Sequence, residues 1–195
     1  MNDLKDAGPT THRGTRVTFW PDPDIFTDTT EFNFETLAQR LRELAFLNRG
    51  LRISIVDRRS GKSGEFLYKG GIYEFVRHLN EGRAVLHDKP IYLEGEQGGM
   101  TAEIAMQWND GYSSHVLSFA NSIHTTEGGT HETGFRSALT RALGRYAEKQ
   151  GMLEKAKVKL DGEDVREGLT CIISIKLPQP QFEGQTKAKL GTTEA

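Results

Sequence analysis

With 195 residues, 27% charged side chains and a formal net charge of −2, the chain can bury a substantial core but has no global positive field to draw in nucleic acid. A single cysteine excludes an internal disulfide and fits a reducing, cytoplasmic setting. No apolar run reaches the ~18 residues of a membrane span, and no signal peptide opens the sequence.

Residues 1–13 are polar and aperiodic and read as a linker or leader, expected to be disordered. Over 14–20, Val17 and Phe19 alternate with Arg16, Thr18 and Trp20, the period of a strand, stopped by Pro21-Asp22-Pro23-Asp24. The spacing predicts a helix over 34–48, with Leu37, Leu41, Leu44 and Leu47 on its buried stripe, Asn33 as its cap and Asn48-Arg49-Gly50 as its stop. Residues 51–56 and 65–69 form a hairpin about a turn, and 71–79 a short helix. Strands are expected over 91–94, 101–108 and 115–120, parted by glycine-rich and Asn-Asp-Gly turns. A second long helix is expected over 131–150, its stripe being Phe135, Leu139, Ala142, Leu143 and Tyr146. A final strand over 169–177 carries Leu169, Cys171, Ile173, Ile175 and Leu177 on one face, and Ile172 implies partial cover on the other. The order is mixed α/β, with the long helices packed on one side of each sheet.

Beyond Pro178 an exposed loop offers an amide, a hydroxyl and an ammonium in succession at Gln185, Thr186 and Lys187. Those groups suit a phosphate arriving from elsewhere, because nothing else in the chain suits a nucleotide. Ser60-Gly61-Lys62-Ser63 ends like a P-loop, but that motif needs glycine where Val56 stands and a helix where 64–69 read as strand. The six histidines show no metal-ligand spacing with a cysteine or carboxylate, and Cys171 reads as a packed, unreactive thiol. Glu127-Gly128-Gly129-Thr130-His131-Glu132 reads as a strand-to-helix turn in which the glycines permit close backbone approach and Thr130 caps the helix. Arg136, Arg141 and Arg145 are polar positions of that helix. They serve either solvation and ion pairing with Glu132 and Glu148 or contact with a phosphate backbone.

Several motifs recur in one family's order. They are Gly14-Thr15-Arg16-Val17-Thr18-Phe19-Trp20-Pro21-Asp22, Arg42-Glu43-Leu44-Ala45-Phe46-Leu47-Asn48, Gln107-Trp108-Asn109-Asp110-Gly111 and Ser118-Phe119-Ala120-Asn121. Then come Glu127 to Glu132, Gly134-Phe135-Arg136, Asp164-Val165-Arg166-Glu167-Gly168-Leu169 and Gln185-Thr186-Lys187. Over residues 14–195 the chain resembles the transducer domain, the second domain of the ATPase region, of the gyrase B family of type IIA topoisomerases. The equivalent domain in the ATPase component of topoisomerase IV stays open as a neighbour, and a nucleotide-independent DNA-binding module as an alternative of another class.

The resemblance implies a ribosomal-protein-like two-layer sandwich of mixed sheet and helices with a left-handed βαβ crossover. Residues 14–178 would be the domain, 179–187 the Gln-Thr-Lys loop and 188–195 the start of an exit helix. It implies that Lys187, with Gln185 and Thr186, reaches the γ-phosphate of ATP held with Mg²⁺ in the preceding nucleotide-binding domain, and that Arg136 faces DNA. The implied partners are that domain, the gyrase A protein, a second copy of the gyrase B protein and DNA, with no membrane. The chain alone would be inactive, its catalytic residues lying elsewhere. The loop, lacking its partner, is expected to be disordered over 179–187.

Overall fold

In the computed structural model, residues 8, 9, 11, 14–157 and 159–195 are described. The chain divides into two units, Met1–Asn33 and Phe34–Ala195. In the first, residues 14–20 join no sheet. Val17, Phe19 and Trp20 are exposed, so alternation there marks an extended segment, and the expected strand is not formed. Asp22 closes a turn by accepting from the amides of Ile25 and Phe26 at 3.1 and 2.8 Å, and Phe19 meets Phe32 edge to face. The disorder expected over 1–13 falls largely outside the described residues.

The second unit runs α1 (Phe34–Leu47), β1 (Ile53–Val56), β2 (Ser63–Phe66), α2 (Ile72–Leu79), β3 (Ile91–Gln97), β4 (Met100–Trp108), β5 (His115–Ala120), β6 (Ile123–His124), α3 (Thr130–Lys149), α4 (Met152–Ala156), α5 (Gly162–Arg166) and β7 (Leu169–Lys176). β1 and β2 pair as the expected hairpin. The other strands form one sheet in the order β3-β4-β7-β5-β6. β7 lies antiparallel to β4 and parallel to β5, so β5, α3 and β7 make a βαβ unit inside a mixed sheet.

β7 is the centre of the unit because both of its faces are apolar. Leu169, Cys171, Ile173 and Ile175 pack with Phe135 and Leu139 of α3 and Val165 of α5. Ile172, on the opposite face, packs with Phe46 and Leu47 of α1 and Ile72, Phe75 and Val76 of α2. The mixed α/β class holds, but the layering is fuller than expected: helices close both faces of this sheet. Phe46 anchors the second face, stacked 4.6 Å from Phe75 and 3.5 Å from Tyr68.

The stripe of α1 is also rotated from the leucine spacing. Ala38, Ala45, Phe46 and Leu47 are buried, whereas Leu37 is exposed. Small side chains let α1 approach closely, and Phe46 supplies the bulk. Polar groups tie the end of α2 to the two adjacent interior strands: Asn80 accepts from Thr170 Oγ1 at 2.7 Å and donates to Gln107 at 2.9 Å. Every one of these buried groups therefore has a partner. α5 has its own start signal, since Asp161 caps the amides of Glu163 and Asp164 while Asp164 bonds back. No helix forms over 188–195; that segment is instead tied into the loop described next.

Candidate nucleotide-sensing loop

The loop begins where β7 is pinned. Asn121 donates to the Leu177 carbonyl at 2.8 Å and accepts from the Leu177 amide at 2.9 Å, which holds the strand end against β5. Pro178 and Pro180 then prevent continuation of the ladder. The chain leaves and returns as a narrow hairpin. Glu183 N–H donates to the Lys189 carbonyl at 2.9 Å and Gly191 N–H to the Gln181 carbonyl at 2.8 Å, with Phe182 bridged to Leu190.

The returning arm has a second neighbour. Glu127 N–H donates to the Ala188 carbonyl at 2.9 Å, Leu190 N–H to the Gly128 carbonyl at 3.1 Å and Thr130 N–H to the Leu190 carbonyl at 3.1 Å. Residues 188–190 thus lie as a short rung between 181–183 and the turn that opens α3. Leu190 is fully buried at this point, within the α3 face of the core. Both arms of the loop are thus hydrogen-bonded, one to the other and the returning one to the start of α3.

The tip is different. Gln185, Thr186 and Lys187 are exposed. Among the described residues, no side-chain hydrogen bond or ion pair engages any of the three, and Lys187 is held by its backbone alone, its amide donating to the Gly184 carbonyl at 3.3 Å. Lys187 has φ 56°, in the left-handed region that non-glycine residues adopt uncommonly. The neighbouring cation is already neutralised, because Lys189 Nζ lies 3.1 Å from the Glu183 carboxylate. The loop therefore presents one unpaired ammonium with an amide and a hydroxyl beside it, a set of donors suited to an anion.

Arg136 stands apart from this tip. Its Nε and Nη2 meet Glu132 Oε1 at 2.9 and 2.7 Å, and Ser118 Oγ donates to the other carboxylate oxygen at 2.8 Å. This satisfies the ion-pairing reading, while Arg141 and Arg145 are exposed. Thr130 is not the cap its position suggests. The cap position is Gly129, with no side-chain bond, and the Thr130 hydroxyl donates to the Thr192 carbonyl at 2.6 Å. The paired glycines are visible in the sequence as a site of close approach, but their neighbour, Leu190, is remote along the chain and no local signal points to it.

The remaining candidates resolve simply. Lys62 of the P-loop-like turn pairs with Glu35 at 2.7 Å and a strand follows it, so no phosphate cradle exists there. Burial pushes the Cys171 thiol well above its ordinary range, keeping it protonated and inert. Among the described residues no His, Cys, Asp and Glu cluster could hold a metal ion, and no helix is long and apolar enough to cross a membrane.

Comparison with known proteins gives this arrangement a context. The family model described as DNA gyrase B matches residues 71–195. The DNA gyrase B protein of Halalkalibacterium halodurans is 58% identical over 194 residues, covering 99% of this chain and 30% of that protein. Its counterpart from Enterococcus faecalis is 57% identical, covering 100% of this chain and again 30% of the relative. Among solved structures, the 43K ATPase domain of Thermus thermophilus gyrase B, in complex with an aminocoumarin, is 41% identical with TM-score 0.76, over 89% of this chain and 46% of that one. The chain thus spans under a third of the length of these two relatives. A family model covering well over half of the chain, and the same fold in a solved ATPase region, establish that the chain belongs to the DNA gyrase B family.

Proposed function

We propose that this chain is the transducer domain of a gyrase B protein, sensing the γ-phosphate of ATP and coupling nucleotide binding and hydrolysis to DNA strand passage and negative supercoiling. The observation that carries this is the unpaired Lys187 ammonium, with Gln185 and Thr186, at the tip of a loop whose arms are fixed. The ATP and its Mg²⁺ would be held by the nucleotide-binding domain of the same protein. The gyrase A protein, a second copy of gyrase B and DNA complete the cytoplasmic assembly, which needs no membrane. Taken alone, the chain is proposed to hydrolyse no ATP.

A lysine–phosphate contact contributes roughly 1.5–3 kcal/mol net and exists only while the γ-phosphate remains. Moving a two-state equilibrium from mostly open to mostly closed needs about 5.5 kcal/mol of differential binding, so Lys187 reports the nucleotide and does not close the assembly unaided. Arg136 is the proposed DNA contact, where a backbone phosphate would compete with Glu132. That competition disfavours the alternative of a DNA-binding module acting without nucleotide.

The test is Lys187→Ala in the complete gyrase B protein, assembled with gyrase A. ATP turnover should fall about 10- to 100-fold, the equivalent of that one contact, with ADP affinity unchanged. Turnover at the wild-type rate would refute the reading.

A further inference from the structure

The nucleotide loop and the start of α3 are one hydrogen-bonded unit, and this unit lies between Lys187 and the rest of the domain. Three backbone bonds join residues 188–190 to residues 127–130. A fourth bond, from Thr130 Oγ1 to the Thr192 carbonyl at 2.6 Å, closes the arm below them. The Thr192 hydroxyl in turn accepts from the Gln181 amide at 2.9 Å, so both arms of the loop end on the same pair of threonines.

Close approach makes this possible. Gly129 has φ 146°, and a Cβ there would stand 2.5 Å from the Leu190 carbonyl oxygen and 2.7 Å from the Leu190 nitrogen. Backbone atoms cannot swing aside as the end of a side chain can, so a side chain at 129 must push the whole returning arm away from α3. Lys187 is only three residues up that arm.

We infer that Gly129 and Thr130 are positioning residues for Lys187, setting the height of the loop tip, and that they pass its displacement into α3 directly. The inference rests on the reading of Lys187 as the γ-phosphate contact. Through α3 the same displacement reaches Glu132, within the helix's first turn, which holds Arg136 and is itself held by Ser118 of β5. The route from nucleotide to the arginine face of α3 is then the helix, with β7 as the fixed floor beneath it.

The experiment uses the complete gyrase B protein with gyrase A and measures equilibrium binding of a non-hydrolysable ATP analogue and of ADP, with thermal melting recorded for each variant. Thr130→Val keeps the shape and removes the donor; Thr130→Ser keeps the donor; Gly129→Ala adds the Cβ. Thr130→Val and Gly129→Ala should weaken the analogue about tenfold while leaving ADP, which has no γ-phosphate, within about twofold. Thr130→Ser should bind both as wild type. If Gly129→Ala does not fold, the valine and serine pair decides. Analogue affinity unchanged in Thr130→Val, or an equal loss for both nucleotides, overturns the inference. Lys187→Ala separates the two levels. If it weakens the analogue and Thr130→Val does not, positioning by α3 fails alone. If Lys187→Ala leaves the analogue unaffected, the γ-phosphate reading fails and the inference with it.

Discussion

Leu190 is fully buried, its amide bonded to Gly128 in the turn before α3 and its carbonyl to Thr130, the first residue of that helix. Lys187, three residues earlier, is exposed with its side chain unengaged among the described residues. The same short hairpin thus holds a root that belongs to the core and a tip that contributes nothing to it. A contact used intermittently must cost little to break, and a contact that transmits must not yield. Separating the two along one short arm lets a single loop do both.

The contrast is most easily broken at the root. Leu190→Ala removes a fully buried side chain from the α3 face of the core and should destabilise the chain by about 2–5 kcal/mol in denaturant unfolding. A loss below about 1 kcal/mol would mean the root is not part of the core, and the division between root and tip would fail.

Much of this can be anticipated from the residues, and the failures have physical causes. β4, β5, α3 and β7 are legible because each carries apolar residues at the spacing or in the run its element requires, and Ile172 already hints that β7 has two covered faces. The expected strand over 14–20 fails because alternation reports an extended backbone and says nothing about a pairing partner. α4 and α5, five residues each, are too short to show a helical period. Gln185, Thr186 and Lys187 are legible by residue type alone. The seat beneath them is not, since nothing in Gly128-Gly129 names Leu190 as its neighbour. The Glu183–Lys189 pair likewise depends on the hairpin bringing them together.

A pH profile sharpens the comparison from the core side. His131 is buried beside Thr125, with Oγ1 to Nε2 at 3.2 Å and, among the described residues, no partner at Nδ1. Burial lowers its pKa from the ordinary 6.5, opposed by Glu132. Burial likewise lowers those of His115 and His124. The sign follows from proton counting. Below about pH 6.5 the unfolded chain binds protons at these sites that the folded chain refuses, so stability is full above that value and falls as the solution is acidified. His131→Gln, which keeps an amide for Thr125, should flatten the decline between about pH 6.5 and 5; an unaltered slope would place the acid sensitivity elsewhere.

The smallest effects belong to the tip, and they are the most discriminating. Lys187→Ala removes a side chain with no bonded partner among the described residues. Its melting temperature should match the wild type, and its free energy should differ by less than about 0.5 kcal/mol. Lys189→Ala removes the ammonium 3.1 Å from Glu183, but both partners are substantially exposed. Solvent screening holds such a pair to roughly 0–1 kcal/mol, so it too should melt within a few degrees of wild type. The two lysines should part company only in the presence of nucleotide. Freed from Lys189, Glu183 becomes an uncompensated carboxylate on the same hairpin as Lys187. Lys189→Ala should therefore weaken binding of an ATP analogue in the complete gyrase B protein, by a few-fold and more at low salt than at high. If analogue binding is unchanged at low ionic strength, Glu183 does not compete for Lys187, and the neutralising pair at the root has no bearing on the tip.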